Sequence, residues 1–273
     1  MVGACALALA ATAAPPAAPR IVSLAPHVTE LVYAAGAGSA LVGASEFSDY
    51  PAGALQLPRV GDAFRLDYER IVSLRPDFVV AWESGTPTAS TARLQALGVR
   101  VVVLRVQTLE DISTALVELG RLAGTSAVAD LAADRLRRGF AELRQQYSGR
   151  PAVRVFVQLD DAPLFTVTGR HLISEMVGLC GGRNVFAGLP GLAPAVDLEA
   201  VIAADPELIL YLGHGEAPDH RWRDWPGLSA ARLDSIRKVP PDLVSRATPR
   251  ALEGAREVCK AIEGARETRR IAH

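Results

Sequence analysis

The stretch Ser126-Ala127-Val128-Ala129-Asp130-Leu131-Ala132-Ala133-Asp134-Arg135-Leu136-Arg137-Arg138-Gly139-Phe140-Ala141-Glu142-Leu143-Arg144-Gln145-Gln146-Tyr147 decides the architecture. It holds no Pro and a single Gly, Gly139. Val128, Leu131, Ala132, Leu136, Phe140 and Leu143 recur at helical spacing. The spacing predicts one helix of about 22 residues, roughly 33 Å long. Ser148-Gly149-Arg150-Pro151 stops it.

Short strands alternate with helices on both sides of that helix. Before it, strands are expected at Arg20 to Leu24, Leu41 to Ala44, Phe78 to Trp82 and Val99 to Leu104. Helices are expected at Thr29 to Ala35, Leu66 to Leu74, Thr88 to Leu97 and Leu109 to Ala123. After it come strands Val153 to Gln158 and Leu208 to Leu212, with helices Leu172 to Leu179, Leu198 to Ala203 and Pro249 to Ile262. Such alternation argues for parallel sheets covered on both faces. The two halves also repeat each other. Leu66 to Val80 aligns without a gap to Val196 to Leu210, so that Asp67, Glu69 and Pro76 meet Asp197, Glu199 and Pro206. A weaker echo pairs Glu30-Leu31-Val32 before Gly36 with Glu175-Met176-Val177 before Gly181. One duplication over about half the chain means two similar lobes, where short repeats would mean a solenoid. The expected fold is α/β: two Rossmann-like lobes with parallel sheets joined by one long interlobe helix. Its division is 1–19 signal peptide and linker, 20–124 N-terminal lobe, 125–149 interlobe helix, and 150–273 C-terminal lobe.

Composition narrows the function. The chain has 273 residues, with 49% apolar and 22% charged residues, which is a globular balance. Lys plus Arg is 29 against 30 for Asp plus Glu, a net charge of -1. No global basic field exists for a nucleic-acid backbone, so none is expected as partner. Met1 to Ala14 is too short to cross a membrane. It reads as the apolar core of a secretory signal, with Ala11-Thr12-Ala13 as a small-residue cleavage site. Val2-Gly3-Ala4-Cys5 leaves lipid anchoring at Cys5 as a lesser alternative. Without Cys5 an even pair remains, Cys180 and Cys259. In an exported chain that pair favours one disulfide, and two buried free thiols are the alternative.

Catalytic constellations are absent from the motifs. Ala35-Gly36-Ala37-Gly38-Ser39-Ala40-Leu41 follows a helix and precedes a strand, the reverse of a dinucleotide loop. There is no Gly-x-Ser-x-Gly elbow and no P-loop. The histidines, at 27, 171, 214, 220 and 273, show no metal-ligand spacing. His27 sits where the first strand meets a cleft, as a loop histidine held by backbone or as a ligand contact. Phe47, Tyr50 and Phe64 fall in loops around the second strand, Trp82 ends a strand, and Trp222 and Trp225 follow the strand at Leu208 to Leu212. Aromatic residues at strand ends suit a large, flat, mostly apolar ligand between lobes. Glu69 and Glu199 occupy equivalent first turns. Spacing alone makes them helix-dipole partners, with paired surface anchors as the sharper alternative.

Several segments resemble the periplasmic cobalamin-binding proteins of the BtuF type. They are Ser23 to Leu31, Phe47-Ser48-Asp49-Tyr50-Pro51, Val60-Gly61-Asp62, Leu66 to Trp82, Cys180 to Phe186 and Arg246-Ala247-Thr248-Pro249-Arg250. The similarity runs from about Arg20 to Ile262. The resemblance implies the helical-backbone metal-receptor fold and delivery of cobalamin, or a related corrinoid, to an ABC importer permease dimer. In that scheme the cobalt corrinoid is cargo, so no cofactor and no catalysis are expected, and the protein is a periplasmic monomer. Glu69 and Glu199 match the family's docking glutamates, which turns their reading from dipole partners to anchors. Cys180 and Cys259 match a family disulfide. Phe47, Tyr50, Phe64, Trp82, Trp225, Asp242, Arg246 and His27 become the ligand-binding candidates. Ala63 and Leu243 stand where relatives carry tryptophan, which leaves haem or a ferric siderophore as an alternative cargo. An α/β enzyme with unrecognised motifs is the alternative of another class.

Overall fold

In the computed structural model, residues 18–213 and 219–272 are described. The leader reading over Met1 to Ala14, Cys5, His214 and His273 lie outside the described residues, as does the side chain of His220.

The first lobe contains β1 (Ile21–Ser23), α1 (Pro26–Ala34), β2 (Leu41–Ala44), α2 (Tyr68–Ser73), β3 (Phe78–Trp82), α3 (Thr88–Ala96), β4 (Val101–Leu104) and α4 (Leu109–Ala123). Its four strands are parallel, in the order β2-β1-β3-β4. The long helix between the lobes is α5 (Ser126–Tyr147). Beyond it come β5 (Val153–Gln158), the small hairpin β6 (Asp160–Asp161) and β7 (Leu164–Phe165), α6 (Leu172–Leu179), β8 (Gly182–Asn184) and α7 (Leu198–Ala204). The chain closes with β9 (Leu208–Tyr211), α8 (Asp219–Arg223), α9 (Ser229–Arg232), β10 (Ile236–Lys238), α10 (Pro241–Val244) and α11 (Ala251–Ala272). The second sheet, read β8-β5-β9-β10, repeats the topology of the first.

Strand pleat explains why these strands read as unbroken apolar runs. Ile21, Phe78 and Val80 face one core, and Val22, Val79 and Ala81 face another. In the second lobe Val155, Val157, Leu208 and Leu210 join the first of these cores, while Phe156 and Ile209 turn to a third. Each sheet is thus buried on both faces, and one core runs continuously from lobe to lobe past Ala129, Ala133, Leu136, Phe140 and Leu143 of α5. Gly139 has a packing reason. A Cβ there would lie 2.4 Å from Cδ2 of Leu252 on α11.

The duplication reaches atomic detail. Asp67 and Asp197 cap α2 and α7 by accepting from Arg70 N and Ala200 N at 2.8 and 2.7 Å. Both helices end in a left-handed residue, Arg75 (φ 47°) and Asp205 (φ 42°). Asp77 and Glu207 then accept the backbone N–H of Arg20 and Arg154 at 2.7 and 2.9 Å. The Nε of each arginine donates to a carbonyl at the end of its helix, Leu74 for Arg20 and Asp205 for Arg154, at 3.1 and 2.8 Å.

The structure adjusts several expectations. α1 begins at Pro26, three residues early, because proline is favoured at the first helical position. α11 extends to Ala272. β8 and β10 were not expected. Trp222, expected near the cleft, is fully buried in the second lobe's own core, its Nε1 donating to Gln158 Oε1 at 2.9 Å. Cys180 and Cys259 are joined as a disulfide tying the end of α6 to the middle of α11, not left as free thiols. Among the described residues no helix is long and apolar enough to cross a membrane.

Candidate functional site

The carboxyl ends of β1, β2 and β3 converge on one cavity of about 190 Å³. Leu24 to His27 follow β1, Ser45 to Phe47 follow β2, and Trp82, Gly85 and Thr86 end β3. Parallel sheets place ligands at this edge, because helix N-termini and loops gather there. Asp62, Ala63 and Phe64 close the wall. Asp62 Oδ1 accepts Phe64 N and Arg65 N, each at 2.8 Å, which makes a tight turn with Phe64 at its tip. Phe64 is 98% exposed and Phe47 75% exposed, although both are large apolar rings.

Phe47 stands on a prepared loop. Its φ is 61°, the left-handed region, which a bulky residue occupies only when its neighbours hold it there. They do so through a run of buried hydroxyls. Ser23 and Thr29 lie 2.6 Å apart, Thr29 and Ser48 2.9 Å, and Ser45 and Ser48 3.2 Å. Arg59 donates to the carbonyls of Ser45 and Ser48. Behind the loop, His27 meets Trp82 edge to face at 4.6 Å between ring centres. Gly85 folds back on the Trp82 ring, where a Cβ would come within 2.2 Å. Burial first, and then the Arg246 guanidinium, push the His27 imidazole down to about 4. It is therefore neutral at ordinary pH, and this keeps the wall apolar.

The second lobe offers a polar counterpart that no motif marks. At the carboxyl ends of β5 and β9, Asp161 Oδ1 accepts from Gln158 Nε2 at 2.7 Å, and Asp161 Oδ2 accepts from Tyr211 Oη at 3.2 Å. Arg221 donates to the Asp161 carbonyl at 2.8 Å. The residues carrying this network lie in a short hairpin and a strand end with no recognisable motif.

Between the lobes lies a charged cluster. Glu30 of α1 is buried, and Arg250 grips it from the second lobe through Nε and Nη2 at 2.9 and 2.7 Å. Arg246 Nη1 donates to Glu30 at 3.0 Å and to Asp49 at 2.6 Å, and its Nη2 lies 3.3 Å from Asp242. The Arg246 guanidinium beside Asp49 holds that carboxyl below the usual range. Tyr50 lies under Arg250, with 4.2 Å from guanidinium carbon to ring centre. A second cavity of about 500 Å³ opens behind this cluster, between Tyr33 and Ala34 of α1 and Leu252 and Arg256 of α11.

The expected ligand residues therefore divide. His27, Phe47, Phe64 and Trp82 share the first cavity. Tyr50 lines the second cavity with Glu30 and Arg250, so His27 and Tyr50 do not share a pocket. Asp242 and Arg246 belong to the interlobe cluster. Trp225 lines neither cavity. Its ring is partly exposed, in the loop before α9. Glu69 and Glu199 are exposed, in the first turns of α2 and α7. Each helix runs back to the start of the strand that follows it, so both first turns lie level with the carboxyl ends of the strands. Among the described residues no cluster of three His, Cys, Asp or Glu side chains is placed to hold a metal ion.

Two parallel-sheet lobes on one stiff helix, with an aromatic wall at the strand ends and exposed paired acids beside it, define a ligand-capturing protein of the two-lobed type. The chain matches the periplasmic binding protein family over residues 21–241 and belongs to it. It is 38% identical to the vitamin B12-binding protein of Vibrio cholerae over 243 residues, covering 89% of this chain and 88% of that protein. It is 36% identical to the vitamin B12-binding protein of Photorhabdus laumondii, covering 89% and 87%. The crystal structure of the periplasmic vitamin B12 binding protein BtuF of Vibrio cholerae superposes with a TM-score of 0.85, covering 91% of this chain and 98% of that one. The haem-binding protein RhuT from Roseiflexus shares the fold, with a TM-score of 0.79 at 24% identity.

Proposed function

We propose that this chain is the periplasmic binding component of an ABC importer, that it captures cobalamin or a close corrinoid between its lobes, and that it hands the ligand to a permease dimer. The observation that carries the reading is the aromatic wall at the strand ends, the exposed rings of Phe47 and Phe64 beside the half-buried Trp82. It occurs in a chain 38% identical to a vitamin B12-binding protein across nearly its whole length. Exposed aromatic rings on a preset loop suit the flat apolar face of a corrin, which buries large area at small entropy cost.

In this reading residues 20–124 and 150–273 form the two walls and 125–149 the spine. Phe47, Phe64, Trp82 and His27 contact the ring from the first lobe. Tyr50, Asp242 and Arg246 border the floor, and Trp225 is the second lobe's candidate wall. Capture requires only small closure, and no bond is made or broken. Glu69 and Glu199 meet basic groups on the permease, one per lobe. The chain acts as a monomer, exported by a leader at residues 1–19.

The test is calorimetric titration of the chain from Arg20 onward with cyanocobalamin, cobinamide and haemin. Submicromolar one-to-one binding of a corrinoid with weak haemin is the expected result. Haemin binding alone moves the ligand within the same role, and silence with all three removes the corrinoid reading.

A further inference from the structure

We propose that Glu30 and Glu175 form two crossed clasps that fix the lobes relative to one another, and that Arg250, Arg246 and Asp49 pass this setting to the lip loop carrying Phe47. All five are positioning residues for the cleft. The starting point is the weaker sequence echo, Glu30-Leu31-Val32 and Glu175-Met176-Val177. It places the two glutamates on α1 and α6, the first helices of their lobes.

Each carboxylate leaves its own lobe. Glu30 crosses to Arg246 and Arg250, just before α11 begins. Glu175 Oε2 crosses the other way and accepts the N–H of Leu109, the first residue of α4, at 2.8 Å. α4 and α11 are the last helices of their respective lobes. The exchange is therefore reciprocal, first helix to opposite last helix, in both directions.

Physical chemistry makes such contacts demanding. A buried carboxylate is unfavourable unless its oxygens are satisfied. Glu30 has its arginines only when the second lobe is in place. Glu175 meets a free N–H at a helix start, where a negative charge is favoured. Together with α5 and the shared core, the clasps leave the two lobes little freedom to rock.

The clasps are unequal. Arg246 also holds Asp49 at 2.6 Å, two residues from Phe47 on the lip loop. A shift of the second lobe at this point moves the lip, whereas the Glu175 contact carries no such lever.

The experiment uses the full chain with Glu30→Gln, Glu175→Gln and the pair Glu30→Met with Arg250→Met. Spin labels at Gln95→Cys and Glu267→Cys, exposed sites on α3 and α11, report the interlobe distance without ligand. The expected result is a narrow distribution in the parent that broadens in Glu30→Gln. Glu175→Gln should broaden it less, because its amide oxygen still accepts from Leu109.

The second readout rests on the cobalamin reading. Cyanocobalamin should leave Glu30→Gln about tenfold faster, the scale of a mutation that acts without touching ligand. The methionine pair refills the interface and should recover the melting temperature, while its off-rate stays fast. An unchanged distance distribution in Glu30→Gln overturns the clasp. An off-rate that recovers together with the melting temperature reduces these residues to stability and overturns the positioning role. If the parent binds no cobalamin, the ligand reading fails while the distance measurement still decides the clasp.

Discussion

Phe47 is held at the cleft lip by its loop and not by the core. Its ring is 75% exposed and its backbone is left-handed, so neither the core nor the local conformation asks for phenylalanine there. The buried hydroxyls of Ser23, Thr29, Ser45 and Ser48 hold the loop without it. Phe47→Gly should therefore leave folding stability level or raise it by up to about 1 kcal/mol, since glycine adopts this φ freely. Ligand affinity should fall by about tenfold, and opposite movement of denaturant midpoint and binding constant is the signature to look for. Lower stability together with unchanged affinity would show the ring to be structural.

His27 and His171 set an acid limit. Burial, helped by Arg246, pushes His27 down to about 4, and burial pushes His171 to about 4, where its Nδ1 accepts from Ile173 N. The unfolded chain takes up protons near pH 6.5 that the folded chain refuses. This stability is complete above 6.5 and is lost as pH falls to about 4. At about 1.4 kcal/mol per unit, His27 contributes roughly 3 kcal/mol. His27→Gln should make the fall of the urea midpoint between pH 6.5 and 4 shallower, with His171 supplying the remainder, and an unchanged slope would place the acid sensitivity elsewhere. Legibility differs residue by residue at this scale. Phe64 and Trp82 could be placed because turn residues and strand ends mark the cleft edge. Trp222 could not, because a loop position does not say which way a ring turns.

At the scale of elements, long periodic stretches were readable and short polar ones were not. α4 and α5 match their sequence expectations at both ends, as do β2, β3 and β5, because burial on both sheet faces or one helix face leaves a strong pattern. β8 reads Gly182-Arg183-Asn184 and β10 reads Ile236-Arg237-Lys238. Both are three-residue edge strands, too short for a period to show and polar enough to look like loop. Asn184 is held there by donating to Val167 O and Ser174 Oγ, a tertiary reason invisible in sequence. Gly139 is the informative exception inside α5. In an isolated helix Gly→Ala is favourable by about 1 kcal/mol. Here the added methyl would meet Leu252, so Gly139→Ala should lose about 1–3 kcal/mol in urea unfolding. Leu252→Ala in the same chain opens that space, and coupling between the two changes in a double-mutant cycle is the check.

At the scale of the whole molecule, duplication is the organising fact, and it has a functional corollary. Both lobes carry the same capped helix, the same left-handed stop and the same strand clamp through Arg20 and Arg154. Glu69 and Glu199 ride on that repeated frame, level with the cleft opening. Neither forms an ion pair or side-chain hydrogen bond among the described residues, whereas Asp67 and Asp197 beside them already cap their helices. The first-turn dipole explains a few tenths of a kcal/mol for each and does not explain why both copies keep a glutamate free. The proposed docking on a permease with two related basic sites accounts for both. Glu69→Ala with Glu199→Ala should leave cyanocobalamin affinity and the melting temperature unchanged, since neither side chain touches the cavity or the core. Uptake by cells supplied only with this variant should be lost. Association with permease-containing vesicles should weaken steeply with salt for the parent and lose most of that dependence in the variant, because exposed carboxylate–arginine pairs act mainly on encounter and orientation. Each single variant should fall between, and the two effects should add in free energy, since the sites are on separate lobes and share no contacts. Full uptake by the double variant would refute docking through these two residues and would return them to their helix-dipole role.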